Sequence, residues 1–404
     1  MPVLNPVFSH KGVHYRDGKR HAWLISLLVP ASLGGGPLLY EATGSLAAFW
    51  IPIVLVYGGI PLLDMMVGED LNNPPEAVVP LLESDPYYRW VTYALVPILW
   101  LVFLGNAYFV GSHDLPWTAV LGLAISTGIL CGFGINLGHE LGHKKSKVAR
   151  SLATSVLAMG AYGHFAIDHN RGHHRHVATP EDCASSRMGE TLYAFALREL
   201  PGAFLRAWRL ERGRLERHDT SVWSLENEIL RAGVITLVVS VSLVIAFGPI
   251  MVPYLLITYF VGAFHLTLAN YIEHYGLLRR KLPTGRYERC QPQHSWNSNH
   301  ICSNWALFHL QRHSDHHANP GRGYQSLRNF DDLPSLPNGY WGMFLVAMVP
   351  PLWFRVMNPR LLEYTQRDPQ RIHFHPKRRQ ALSERYQLEV RPQIEAASAA
   401  TAAA

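Results

Sequence analysis

Sulfur is scarce in this chain. Among 404 residues there are four cysteines, Cys131, Cys183, Cys290 and Cys302, and no two of them form a C-x-x-C pair. That excludes a disulfide scaffold and the thiolate sites of zinc fingers, rubredoxins and thioredoxins. Charge is scarce as well: 16% of residues carry it, and they gather in short polar stretches between long runs that have none. No internal repeat is visible, which excludes solenoids. With 48% hydrophobic and 11% aromatic residues, disorder and a fibrous fold are excluded for most of the length. The net charge of +6 is modest, and suits a membrane protein with a basic inner face as well as a nucleic-acid binder. What the chain has in abundance is histidine, 22 residues of it.

The charge-free runs cover 21–40, 42–63, 90–113, 115–139 and 232–272. A helix needs about 20 apolar residues to cross a bilayer core of about 30 Å. The first four runs predict one helix each. The last is long enough for two, with Gly248-Pro249 and Pro253 near its middle. Six transmembrane helices follow, in an all-α membrane protein. Buried core helices of a large soluble protein are the competing reading, and repeated runs of span length argue against it.

Lysine and arginine set the orientation. Lys11, Arg16, Lys19 and Arg20 precede the first span; Lys144, Lys145, Lys147 and Arg150 follow the fourth; Arg279, Arg280 and Lys281 follow the sixth. The opposite loops carry neither residue. Both termini and every His-rich segment are therefore expected on the cytoplasmic side of an inner membrane. The organisation predicted is a tail and four spans over 1–139, a cytoplasmic segment over 140–231, two spans over 232–272, a helical cytoplasmic cap over 273–390 and a linker-like, Ala-rich tail over 391–404. Within the second segment, 206–218 alternates Arg and Glu with Leu and Trp, as an interfacial helix does. The apolar stretch 340–357 contains Pro350-Pro351, and reads as an interfacial or re-entrant piece, because a double proline in a lipid-exposed helix leaves backbone groups unpaired.

The histidines stand where the spans emerge. His139 and His143 are four apart; His169, His173 and His174 form H-x(3)-H-H; His313, His316 and His317 form H-x(2)-H-H; His274 ends the sixth span. Residues three or four apart on a helix share a face, so two imidazoles there can grip one ion. Nine histidines exceed what one ion accepts, and two metal ions are the natural arithmetic. Imidazole suits Zn, Cu, Fe and Ni alike. Each ligating ring normally donates its other N–H to a neighbouring group; Glu140, Asp168, Glu273, Asp315, Asp64 and Asn270 are the candidates. His164, His176, His265, His294, His300 and His309 lie nearby without a clear shared face. His139-Glu140-Leu141-Gly142-His143 also fits H-E-x-x-H, the zinc-protease pattern, but an intramembrane protease would leave the other clusters unexplained. A carboxylate di-iron bundle needs a second E-x-x-H that is absent. A metal transporter places its ligands near the bilayer midplane, not at helix ends.

The clusters resemble the three histidine boxes of the integral-membrane non-haem di-iron family of desaturases and hydroxylases. The fuller strings, His139–Lys144, the run from His169 to Pro180, N-Y-I-E-H-Y-G over 270–276 and L-Q-R-H-S-D-H-H over 310–317, resemble the bacterial alkane 1-monooxygenases from the first span to about Met357. Asp168 departs from the Glu usual before that histidine and conserves its charge. The resemblance implies two iron ions on the nine histidines, with no haem or flavin, and terminal hydroxylation of medium-chain n-alkanes using O₂. It implies electrons from rubredoxin and its reductase; lacking C-x-x-C, this chain needs that donor as a separate protein or a fused domain. A lipid desaturase or other hydroxylase is the alternative activity. Trp50, Val56, Tyr57, Phe103 and Phe264 are candidates to line an alkane path, the basic strips 144–150 and 206–217 are candidates to dock an acidic carrier, and nucleic acid is not an expected partner.

Overall fold

A computed structural model describes residues 5–388; the linker-like tail expected over 391–404 lies outside the described residues. The chain is almost wholly helical. The one sheet among the described residues is a hairpin, β1 (Val7–His10) against antiparallel β2 (Val13–Arg16), with Val7 opposite Arg16.

The first two apolar runs differ from the straight spans expected. Helical stretches α1 (Arg20–Ser32) and α2 (Gly35–Thr43) meet at 57°, with Pro30 just before the break. Gly44 then takes a left-handed φ of 67° and closes α2, so the second run becomes helical throughout only at α3 (Ile51–Val67). By length alone α3 falls short of a full crossing, and a π turn at Leu55–Gly59 widens it.

The later runs behave as their composition demands. Asp85 caps α4 (Pro86–Ser112) by accepting from the Tyr87 amide, with Pro86 at the first helical position, where its missing N–H has no consequence. Next come α5 (Trp117–Gly142), α6 (Lys147–Met159) and α7 (Leu192–Glu216). The 232–272 run splits into α8 (Glu228–Phe247) and α9 (Met251–His274). Gly248, at φ 81°, makes the break, and Pro249 follows. The helices α4, α5, α8 and α9 are long and apolar enough to cross a membrane.

Of these, α5 is the axis of the molecule. Its most apolar window is 78% buried, against 17% for α8. Glycine is the reason at two places: a Cβ on Gly128 would stand 2.4 Å from Val261 Cβ, and one on Gly138 2.7 Å from Leu157. The bare backbone lets α9 and α6 close on α5 from two sides. By contrast α8 presents exposed Leu237, Val238 and Ile245, and α4 presents Trp90 and Leu101, the outward apolar belt of a multi-pass membrane protein.

Beyond α9 a polar cap is built around α10 (His313–Ala318). Arg312 anchors it: the buried guanidinium donates to the carbonyls of Asp70 and Leu327, pinning the cap to the loop after α3. Finally α11 (Tyr340–Ala347) and α12 (Pro350–Tyr364) meet at 119°. The double proline starts α12 afresh, as a re-entrant or interfacial turn requires.

Candidate metal centre

Four chain segments bring the histidines together. The last turn of α5 carries His139 and His143. His169–His173 form a π turn that runs into His174, and α10 carries His313, His316 and His317. His274 ends α9. All nine fall into two groups. His139, His143, His169, His174 and His316 make one; His173, His274, His313 and His317 make the other. Within each group, one nitrogen per ring lies within 4.8 Å of all the others.

The distances are those of ligands around an ion. Nε2 of His139 is 2.8 Å from Nε2 of His316, and Nε2 of His174 is 3.0 Å from that of His169 and 3.1 Å from that of His316. In the second group the Nε2 atoms of His313 and His317 are 2.9 Å apart. Nitrogens about 2.1 Å from a metal and at right angles around it stand about 3.0 Å from each other. Nε2 of His143, His173 and His274 is buried with no protein partner, at a cost native structures rarely bear without an ion or water. Burial first, and the crowd of neighbouring rings second, hold His143, His169, His174, His316 and His317 well below the ordinary imidazole range. Neutral rings are what a metal needs. The donor set therefore fits two metal ions, a non-haem di-iron site among them.

The division of rings corrects a simple helical expectation. His169 and His173, four apart, go to different groups, while His169 and His174, five apart, share one. The π turn bonds i to i+5 and rotates the second ring of the box toward the other ion.

Of the carboxylates singled out beforehand, Glu273 reaches a cluster ring, its Oε2 lying 3.3 Å from His313 Nε2. The others turn elsewhere. Glu140 pairs with Lys144 at 2.7 Å, Asp64 accepts from the Ser303 amide, and Asp315 accepts from Asn319 and the Arg328 amide. Asn270 donates to Glu199. Asp168 binds Arg206 through both oxygens, at 2.6 and 2.8 Å. Each finds a partner closer than a ring that already points its free nitrogen inward.

A carboxylate that the spacing did not reveal holds one of the clustered rings. Asp182 accepts from His173 Nδ1 at 2.9 Å, from Ser185 Oγ at 2.7 Å and from Arg206 at 2.7 Å. Burial alone would raise its carboxyl, but the His173 ring and then Arg206 and Ser185 hold it well below the usual carboxylate range. Arg206 thus clamps Asp168 and Asp182 together, and Asp182 fixes the tautomer and angle of His173. Placed in a surface strip by its sequence, Arg206 in fact has a side chain only 11% exposed. The six neighbouring histidines stay outside both groups: His294 pairs with Glu288, His176 with Glu181, and His309 faces the Tyr324 carbonyl.

Beside the two groups lies a narrow cavity of about 60 Å³. Its wall is apolar along α5 (Ile129, Phe133, Ile135), α9 (Leu266, Ala269) and α11 (Trp341, Phe344); at one end it meets His139 and His169 of the first group, and His313 and Glu273 beside the second. None of Trp50, Val56, Tyr57, Phe103 and Phe264 lines it. Phe103 and Val56 are buried in the helix packing instead. Tyr57 touches the wall from outside, its hydroxyl 2.5 Å from Nε2 of His265, which does line the cavity.

Comparison with known proteins agrees with this geometry. The fatty acid desaturase family model matches residues 115–347. An alkane 1-monooxygenase 1 from Alcanivorax borkumensis is 52% identical over 373 residues, covering 92% of each chain. An alkane 1-monooxygenase from Ectopseudomonas oleovorans is 52% identical over 89% of each. This chain belongs to the alkane 1-monooxygenase family. One from Acinetobacter baylyi is 39% identical over 96% of this chain. The enzyme is thus an oxidoreductase of the membrane-bound desaturase and hydroxylase group, and its two histidine groups stand inside the matched region.

Proposed function

We propose that the enzyme hydroxylates the terminal carbon of medium-chain n-alkanes, taking one oxygen atom from O₂ and releasing the other as water. The observation that carries this reading is the apolar cavity that ends on both histidine groups. An unbranched alkane offers no polar handle, so only shape and hydrophobic burial can hold it. The cavity supplies both, and a slot between α5 and α9 favours end-on entry, with the terminal methyl toward the rings.

The protein's share is positioning and exclusion of water. The apolar wall keeps water from the reacting end. His139, His169 and His313 form the floor on which the methyl rests, Glu273 stands beside the inward-facing Nε2 of His313, and Asp182 steadies His173. Two iron ions on the nine histidines would supply the redox chemistry for attack on an unactivated C–H bond, which zinc cannot.

We read the bent pair α1–α2 and the short helix α3 as the remaining two spans, giving six, with both termini and the metal centre on the cytoplasmic side of an inner membrane. Tyr193, Leu197, Phe204 and Leu205 of α7 are exposed apolar side chains, which suits a helix resting on the lipid interface. Electrons would come from rubredoxin. Exposed Lys145, Lys147 and Arg150 form the better docking strip, since Arg206 is turned inward and Arg212 and Arg214 pair with Glu216 and Glu211.

The test is a product assay with octane, O₂, a rubredoxin and its reductase, beside metal analysis of the purified protein. The expected results are 1-octanol and about two iron ions per chain. An alkene would mean desaturation, and a single zinc with no oxidised product would overturn the reading.

A further inference from the structure

A second, smaller chamber lies beside the π turn and adjoins the apolar cavity, sharing Phe165, His169, Leu266 and Asn270 with it. His169 and His173 form its wall toward the metals, and Tyr162, His164, Glu199 and Asn270 contribute to the rest. Asn270 belongs to both chambers and stands between them. The Tyr162 hydroxyl and His164 Nε2 are buried without a partner, although each residue is less than a tenth exposed. Two orphaned polar atoms and a carboxylate around a space of about 10 Å³, closed otherwise by Phe165, Ala184, Ala203 and Leu266, make a lining with room for one ordered water.

Glu199 is the unusual member. It is 1% exposed and its two oxygens meet only neutral donors, Thr267 Oγ1 at 2.7 Å and Asn270 Nδ2 at 3.1 Å. No cation pairs with it. Arg206, on the same helix, is taken by Asp168 and Asp182. Burial raises the carboxyl to about 7, the Thr267 bond opposes that, and Asp168 and Asp182 add to the rise. Cys183 and Tyr162 also lie near it, and His164, His169 and His173 share the lining of its chamber. Nothing in the positioning of the alkane uses this residue.

The hydroxylation reading, on which this inference rests, creates a need that such a group meets. Alkane, O₂, two electrons and two protons become alcohol and water. One C–H and the O–O bond break; C–O and O–H bonds form; the iron–sulfur donor supplies the electrons. The protons must enter a centre walled on its substrate side by hydrocarbon. We propose that Glu199 is the proton-delivering residue of the enzyme, passing its proton through a water held in the small chamber toward the metal centre. The apolar and polar chambers then divide the labour: one delivers the alkane dry, the other delivers protons wet.

The test compares the wild type with Glu199→Gln and Thr267→Val in the full-length, iron-loaded protein. Infrared difference spectra against pH read the carboxyl directly, without turnover. A protonated-carboxyl band should titrate near neutrality in the wild type and vanish in Glu199→Gln. With octane, Glu199→Gln should retain iron and an unchanged KM, lose at least tenfold in kcat, and lose the neutral limb of the pH profile. Removing the Thr267 hydroxyl takes away a bond that favours the charged carboxylate, so the band and the limb should both move to higher pH. The proposal is overturned if Glu199→Gln turns over at the wild-type rate with the same profile, if it loses its iron, or if Thr267→Val moves neither band nor limb. A wild type that makes no octanol would defeat the hydroxylation reading instead, and leaves the infrared result to be judged alone.

Discussion

Replacing Asp182 by asparagine tests whether the second group of histidines depends on a partner that only the fold supplies. The carboxylate holds His173 Nδ1 at 2.9 Å, and His173 is one of four rings in its group. Asparagine keeps the size and an acceptor oxygen but removes the charge. A hydrogen bond to a charged group is worth about 1.5–3 kcal/mol, which at about 1.4 kcal/mol per tenfold predicts metal affinity weaker by roughly 10- to 100-fold, the range known for partners of metal ligands. Arg206 keeps Asp168 at 2.6 Å, so no buried charge is orphaned; deleting Arg206 would orphan two, at about 3–5 kcal/mol, and confound unfolding with metal loss. None of the five rings of the first group hydrogen-bonds Asp182. The assay is metal content during titration with a chelator. Asp182→Asn should release one ion per chain at chelator levels about 10- to 100-fold below those needed for the wild type, and hold the other as the wild type does. Release of both ions in step, or of neither, would refute the reasoning.

Gly172→Ala should act on the same clamp from the other side. Its Cβ would stand 2.6 Å from Arg206 Nε, so the guanidinium must shift, and a lower melting temperature reflecting about 1–3 kcal/mol should accompany weaker metal retention. Ala269→Phe fills the apolar cavity beside the rings; kcat/KM for octane should fall at least tenfold while butane is spared and metal content stays unchanged, and an unaltered octane rate would remove this cavity as the alkane site. His274→Ala takes one of four rings from the second group; metal analysis should show about one ion remaining and product analysis no octanol, whereas full activity would strike His274 from the ligand set.

How much of this was legible beforehand follows the range of the interactions. The nine clustered histidines stood out because they repeat at the short spacings of a helix face, and because span ends are marked by where charge resumes. The helices α4, α5, α8 and α9 were equally plain, since a hydrocarbon core demands a long uncharged run and the sequence shows each one. The bend between α1 and α2 and the shortness of α3 were hidden. Pro30, Gly44 and the π turn act on backbone geometry without interrupting the apolar composition.

The lining of the cavity was not legible for a related reason. In a membrane helix both the lipid face and the inner face are apolar, so hydrophobicity no longer says which side looks inward. Phe103 and Ile129 are alike in composition, yet only Ile129 lines the cavity. The sequence by itself determined a many-spanned helical protein with nine metal-ready imidazoles at the ends of its spans. Only the tertiary structure decided which imidazole joins which group, because a π turn overrides the spacing. It also decided that Asp182 holds His173, that Arg206 points inward, and that Glu199 faces a polar chamber. Those pairings join residues from 9 to 71 positions apart, and packing of helices, not spacing along one of them, brings such groups within reach.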